Sequence, residues 1–332
     1  MTKTASCLTE AGSKRSRTLA PDTLVIANSG ATLGVAKILG IECCANDGIA
    51  ALVDHRLGSK EFLVYYLNTQ TRYLRDVVAP GNGQPNLNTG LIREIKVPFP
   101  EVGEQRAIAS LLGDVDRSVV ALDALISKKR AIKQGVMQLL LTGKVRLPGF
   151  SGDWCERPYA DVATIRKGMV LPHTQSKGFV PVIAAGQAPA GYTVHGNRVG
   201  PVVTISASGA SAGFVAMHRG PIWASDCSTI EAARGYDLDF IYYSLVLRQD
   251  EIYRTQTGGA QPHVHAKDVH PLILQSPVEV AEQAAVAGVL RHMDDEIGAL
   301  ERRLESARAV KQGMLQELLT GRTRLLPAEA AS

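Results

Sequence analysis

The feature that most constrains this chain is an internal duplication. The stretch from Glu104 to Leu147, EQRAIASLLGDVDRSVVALDALISKKRAIKQGVMQLLLTGKVRL, returns from Glu282 to Leu325 as EQAAVAGVLRHMDDEIGALERRLESARAVKQGMLQELLTGRTRL, at a constant offset of 178 residues and without a gap. A repeat of this length makes the copy the structural unit, so any fold must give both copies equivalent surroundings.

Both copies predict a long helix. Ile108, Leu112, Val115, Val119, Leu122 and Ile126 alternate spacings of four and three, and Val286, Leu290, Met293, Ile297, Leu300 and Leu304 repeat them one for one. That spacing draws a narrow apolar seam suited to a partner helix. Each seam is interrupted at Lys133-Gln134-Gly135 or Lys311-Gln312-Gly313 and resumes at Val136 and Leu140 or Met314 and Leu318. A lysine and a glycine weaken a helix there, which points to register-setting or to close packing. Each helix should stop at Leu-Thr-Gly, with Gly143 and Gly321 as left-handed caps. Roughly 40 residues at about 1.5 Å each give a rod of about 60 Å. Neither rod can bury its seam alone. Pairing the two closes both seams, and the pair runs antiparallel because a globular segment has to fit between them.

The repeat is larger than the helix. Gln84-Pro85-Asn86-Leu87-Asn88 precedes the first helix as Gln261-Pro262-His263-Val264-His265 precedes the second, Phe62–Leu67 matches Phe240–Leu245, and Ser29-Gly30 matches Ser208-Gly209. The order is globular, helix, globular, helix. In the first globular part, strands are predicted at Leu24–Ala27, Val35–Ile41, Ile49–Val53 and Leu91–Val97, with a helix at Lys60–Asn68 and a disordered or loosely attached basic arm over residues 1–20. In the second, strands are expected at Val180–Ala184, Val202–Ile205, Phe214–Met217 and Val269–Leu274, with a helix at Leu238–Arg248. Ser29-Gly30 and Ser208-Gly209 read as tight turns, either purely structural or letting backbone approach a phosphate. The halves are unequal. The first has no counterpart to Trp154–Gly200, so either the chain starts inside that domain or the domain is reduced.

Composition narrows the function classes. Apolar residues at 45%, charged residues at 20% and a net charge of +4 describe a globular protein that is only mildly basic. Five cysteines without a C-x-x-C pair argue against disulfide and zinc frameworks and suit a reducing cytosol. With no run of about 18 apolar residues and no signal core, a cytoplasmic protein without membrane contact is expected. The sequence holds no Pro-Pro, so the Pro-Pro-aromatic loop of amino-methyltransferases is missing, and there is no G-x-x-x-x-G-K-S/T phosphate loop. Pro21-Asp22 with Glu94-Ile95-Lys96 formally fits a nuclease pattern, but one short enough to recur by chance. His263, His265 and His270 align with Asn86, Asn88 and a position near Arg93, which favours loop hydrogen bonding over metal binding. No catalytic or metal site is expected.

The order of a variable globular segment, an EQ start after proline, a long helix, KQG and LTG, all occurring twice, resembles the specificity (S) subunit of type I restriction-modification systems. The resemblance implies an α+β architecture: two mixed α/β target-recognition domains separated by two long helices packed as an antiparallel coiled coil. It divides the chain into a short first recognition domain (1–97), a first long helix (98–147), a second recognition domain (148–275), a second long helix (276–326) and a tail (327–332). It further implies a non-catalytic subunit that reads a bipartite site on double-stranded DNA. Two methyltransferase (M) subunits carrying S-adenosylmethionine would dock on the helices, with Leu111, Leu125, Leu139, Val289 and Leu315 as candidates, and restriction (R) subunits would join for cleavage. Base reading needs Arg, Lys, Asn, Gln or similar side chains on loops that reach groove edges. The candidates are Lys37, Arg72, Gln84 and Asn86 in the first domain and Lys167, His173, Gln175, Lys177, Arg198, Arg219 and Gln261 in the second. The short first domain leaves a second reading open: a truncated specificity subunit that acts as an assembly scaffold with impaired DNA reading.

Overall fold

The computed structural model describes residues 2–4, 6–53, 58–79, 85–170 and 178–325. Gln84, His173, Gln175, Lys177 and the 327–332 tail lie outside them. The chain forms two compact units, one of Met1–Ala124 with Glu301–Ser332 and one of Leu125–Leu300. Each long helix is therefore shared, its two halves belonging to different units.

In the first unit, α1 (Glu10–Ser13) and β1 (Arg17–Leu19) precede β2 (Leu24–Ala27), β3 (Ala36–Ile38), β4 (Cys43–Ala45) and β5 (Ile49–Leu52). The sheet order is β3-β2-β5, antiparallel throughout, and β1 pairs with β4. Next come α2 (Lys60–Thr69), α3 (Thr71–Tyr73), a π-helical turn (Leu74–Val78), α4 (Thr89–Arg93) and the first long helix, α5 (Val102–Leu140). Ser59 caps α2 by accepting from the Phe62 amide. Leu63 and Leu67 of α2 join Leu24, Ile26 and Leu87 in the sheet core. Phe62, fully buried, instead packs among Ile108, Leu112, Leu318 and Leu319 of the paired helices. Burial on that scale contributes about 2–3 kcal/mol for one phenylalanine.

The second unit holds β6 (Trp154–Pro158), α6 (Tyr159–Val162), β7 (Ala163–Lys167), β8 (Val180–Ile183), β9 (Gly191–Thr193), β10 (Val202–Ser206), β11 (Val215–His218), β12 (Trp223–Ala224) and β13 (Cys227–Ala232). After these follow α7 (Leu238–Leu247), α8 (Gln249–Arg254), α9 (Ala266–Val269), β14 (Ile273–Pro277) and the second long helix, α10 (Val280–Leu318). Its described residues form three sheets: β11-β10-β13-β7, β12-β8-β9, and the pair β14-β6.

The duplication extends into the sheets. Ile26 opposes Ala36 across β2 and β3 as Ile205 opposes Val215 across β10 and β11, at a common offset of 179. The outward-facing edge at Ala36 is occupied by the Asn68 carboxamide (2.9 and 3.1 Å). At Val215 the Gln249 carboxamide binds the Val215 amide and the Gly213 carbonyl (3.1 and 2.7 Å). Both repeats thus block the same sheet edge by different residues. At the same offset β4 falls on β12, and the Leu19–Cys43 pairing of β1 with β4 falls on the Arg198–Ile222 bridge; what the first unit lacks, among its described residues, is a counterpart to β7, β8, β9 and the β14-β6 pair.

Three expectations are corrected. The arm over residues 1–20 is not wholly disordered, because Leu19 is buried and β1 is bonded to β4. Leu91–Val97 is not a strand: Asn88 caps the turn α4 through the Leu91 amide (2.9 Å), and the following segment has no strand paired with it among the described residues. The strand expected at Val269–Leu274 begins later, at Ile273, since Val269 still belongs to α9. The central strand β13 escaped the reading because its sequence, CSTIEA, looks polar although Ser228 and Thr229 are buried.

Candidate nucleic-acid interface and the paired helices

The repeated motifs meet at two equivalent clasps. In the second unit Glu282, fully buried, accepts two hydrogen bonds from Arg146 (2.5 and 2.6 Å), and the Arg146 guanidinium lies 5.6 Å from the Trp154 ring centre. Gln283 accepts from the Asp237 amide and donates to the Pro277 carbonyl, both at 2.8 Å. In the first unit Glu104 binds Arg324 (2.6 and 2.8 Å), while Gln105 accepts from the Ser59 amide and donates to the Pro100 carbonyl, again at 2.8 Å. The hydrogen bonds from Arg324 hold the Glu104 carboxyl below the usual carboxylate range. The EQ start therefore has two tasks: the glutamate ties one long helix to the end of the other, and the glutamine ties it to the cap of the domain helix. Gly143 and Gly321 end the helices at positive φ (68° and 71°), as the LTG motif requires. A side chain at Gly143 would press on the Trp154 ring at 3.1 Å, whereas Gly321 has open space.

The KQG lysines form a second matched pair of contacts. Lys133 pairs with Asp294, which also accepts from the Tyr243 hydroxyl (2.8 Å), and the lysine lies 5.3 Å from that ring's centre. Lys311 pairs with Asp116 (2.5 Å), which accepts from the Tyr65 hydroxyl (2.8 Å). Burial first, then the bond to aspartate, pushes both phenols well above their ordinary value. Nothing approaches Gly135 or Gly313, so close packing is not what the motif's glycine provides. Within each unit these pairs make the helices antiparallel. Of the seam residues, Ile108, Leu112, Leu122, Ile126, Val286, Leu290, Ile297 and Leu304 are buried, and Val115, Val119, Met293 and Leu300 are half-buried.

The base-reading candidates separate into three kinds. Arg198 is half-buried and committed to structure, donating to Thr229 Oγ1 (3.0 Å) and to the carbonyls of Asn197 (2.9 Å) and Lys167 (3.3 Å). Arg219 and Arg72 are exposed but paired, Arg219 with Asp239 (3.0 Å) and Arg72 with Asp76 (3.4 Å). Lys37, Asn86, Lys167 and Gln261 are exposed. Lys37 lies in β3, within the strand expected there, and Arg72 in α3, whereas Lys167 ends β7 and does not lie on the loop expected for it, because its neighbours carry the strand pattern. Lys37 also lines an open cavity of about 570 Å³ with Val64, Tyr65, Asp116 and Lys311.

The structure does bring the repeated loop motifs together. Ser29 bridges Asn86 and Ser208 bridges His263. Buried Leu87 and Val264 donate their amides to the Asn28 and Ala207 carbonyls (2.7 and 3.0 Å). Gly209 donates to the Pro262 carbonyl (2.9 Å), so the glycine of this turn approaches its partner loop. His263 and His265 stack with ring centres 6.1 Å apart, and no metal-binding cluster occurs among the described residues. The exposed aromatics Phe179 and Tyr192 were overlooked by the sequence reading. The β8–β9 register, Val180 to Thr193 and Pro181 to Tyr192, sets both on the outer face of the three-stranded sheet. Alternation of buried and exposed positions about Val180 and Val182 was the signal available for them. No helix among the described residues is long and apolar enough to cross a membrane.

Comparison with known proteins fixes the class. Residues 11–133 and 151–307 match the family model described as type I restriction modification DNA specificity domain, which spans most of both repeats. The chain belongs to this family. It is 32% identical over 91 residues to the type I restriction enzyme MjaVIII specificity subunit of Methanocaldococcus jannaschii, a match that covers 26% of this chain and 21% of that protein. The fold is similar to the crystal structure of a type I restriction-modification system S subunit from M. genitalium, with a TM-score of 0.71 at 18% identity over 90% of this chain and 83% of the other. A chain from a structure described as the basis of complex assembly and conformational transition of the type I R-M system matches with a TM-score of 0.54, at 15% identity over 91% and 83% of the two chains.

Proposed function

We propose that this chain is the DNA sequence-recognition subunit of a type I restriction-modification complex, itself without catalytic groups. It would read a bipartite site on double-stranded DNA and direct methyltransferase and restriction subunits to it. The observation that carries this reading is the double match to the specificity-domain family, each match taking in one globular part and most of the long helix that follows it. Each globular part would read one half-site, and the long helices would set the gap between the halves, one helical turn of DNA being about 34 Å. The exposed residues Lys37, Asn86, Lys167 and Gln261 are the base-reading candidates least committed to other contacts. Arg198 would act by shaping the loop beside Lys167. Two methyltransferase subunits supplied with S-adenosylmethionine would dock on helix faces that include Leu111, Leu125, Leu139 and Val289, which are 37–44% exposed. Leu315 packs into the first unit and is dropped from that set.

A second reading, an assembly scaffold with weakened DNA reading by its first domain, is favoured by one observation: the described residues of the first unit form a three-stranded sheet and the β1–β4 pair, where those of the second form sheets of four, three and two strands. Co-expression with the neighbouring methyltransferase subunits, followed by mapping of methylated adenines, separates the two. Two specified halves around a fixed gap support the full recognition subunit. A single or symmetric half-site supports the scaffold, and absence of methylation contradicts the first reading.

A further inference from the structure

The two triads, Tyr243–Asp294–Lys133 and Tyr65–Asp116–Lys311, occur at equivalent places in the two repeats and use all three of the elements that meet there. The lysine comes from the end of one long helix, the aspartate from the start of the other, and the tyrosine from the domain helix α7 or α2. Lys133 and Lys311 are only 17% and 31% exposed, too enclosed to be ordinary solvated surface lysines. An apolar seam alone distinguishes poorly between registers that differ by one helical turn, because leucine packs on leucine in each, whereas a single enclosed polar pair penalises every register but one. In the observed register Lys133 faces Asp294. One turn in either direction it would face Leu290 or Gly298, and Lys311 would face Leu112 or Val120.

We infer that the two triads are the register lock of this protein: the lysine–aspartate pair selects one antiparallel alignment of the long helices, and the tyrosine transmits that alignment to the recognition domain. These are positioning residues. Their consequence for target choice rests on the function proposed above; their effect on helix register does not.

The test uses cysteine pairs in the full chain. Lys129→Cys with Glu296→Cys, bridged by a short bis-methanethiosulfonate linker, reports the native register, since the lysine ammonium and the glutamate carboxylate meet at 2.7 Å across the helices. Lys129→Cys with Leu300→Cys, bridged in the same way, reports a slip of one turn. With the triad intact, the native cross-link should form in large excess. With Asp294→Asn, nearly the same shape, the slipped-to-native ratio should rise about tenfold, and exchanging the charges (Lys133→Asp with Asp294→Lys) should bring it back. A ratio unmoved by Asp294→Asn, or raised equally by the charge exchange, overturns the lock. Circular dichroism at matched helix content guards against reading unfolding as slippage. In the methyltransferase complex, Asp294→Asn should spread the gap between methylated half-sites over more than one length. If the parent complex gives no bipartite methylation, the functional reading fails while the cross-link ratio still decides the lock; a parental single gap retained in a slipped variant overturns the role of the tyrosine.

Discussion

The two units attach their sheets to the helices by the same polar contacts, yet they surround those contacts differently. In the second unit the glutamate–arginine clasp is roofed by Trp154, which packs edge-on against Phe240 at 6.4 Å and closes over Gly143. In the first unit Arg324 is 62% exposed and Gly321 faces open space. The cavity beside Lys37 shows the same contrast: Val35, Ile38 and Val64 line it, where the aligned positions of the second unit hold Phe214, Met217 and Tyr242, the last with its ring centre 4.9 Å from that of Tyr243 and tilted by 56°. The comparison teaches that attachment and recognition are separable. The attachment is duplicated nearly residue for residue, while the size of the sheets and the filling around them have diverged.

The sharpest way to break the comparison is at the clasp itself. Both tryptophans, Trp154 and Trp223, belong to the second unit, so tryptophan fluorescence follows that unit alone. Glu282→Ala removes a fully buried carboxylate and leaves the half-buried Arg146 only its bond to the Gly152 carbonyl, and should give the largest loss of second-unit stability in a guanidinium titration. The matched Glu104→Ala should have a much smaller effect, read as protection of α2 amides in hydrogen exchange, because its arginine can turn to water. Trp154→Ala gives the second unit the bare clasp of the first. It should cost about 3 kcal/mol by circular-dichroism melting, with little change in α2 protection. Gln283→Ala and Gln105→Ala each remove two hydrogen bonds at a helix start and should cost about 2 kcal/mol apiece. Unequal losses at these two positions, measured by exchange in α7 and α2, would contradict the equivalence.

The smallest effect expected is one of pH. His218 in β11 is enclosed beside Thr204, and burial lowers its pKa from 6.5. The unfolded chain therefore takes up the proton first, so stability present above pH 6.5 is lost as the pH falls through the lower, folded value. The aligned residue in the first unit is Leu39, which does not titrate. Denaturation followed by tryptophan fluorescence should show a loss below pH 6.5 of under about 1 kcal/mol for each unit of pH, and His218→Leu should remove this component.

The helices were legible in the sequence because their signal is periodic and duplicated. The seam from Ile108 to Ile126, the glycine caps and the antiparallel pairing all follow from spacing that tertiary context had little reason to override. The role of EQ was not legible, since Gln105 and Gln283 bind backbone more than 45 residues away and no local pattern announces such a partner. Strand β13 was hidden by its serine and threonine, and Leu91–Val97 misled because a β-like composition forms a strand only where another strand lies alongside. At the candidate interface, residue type identified side chains able to bind DNA but not those already engaged. Arg198 carries the right chemistry and spends it on Thr229 and two carbonyls.

The division of each long helix between two units has a consequence for how the protein is made on the ribosome. Leu125–Leu300 is one continuous stretch, so the second unit has all of its parts once residue 300 has emerged. The first unit does not: Phe62, Ile108 and Leu112 wait for Leu318 and Leu319, which are synthesised after the entire second unit. The domain that is translated first is thus the one completed last, and during that interval its apolar helix-binding face is open to solvent and to other chains.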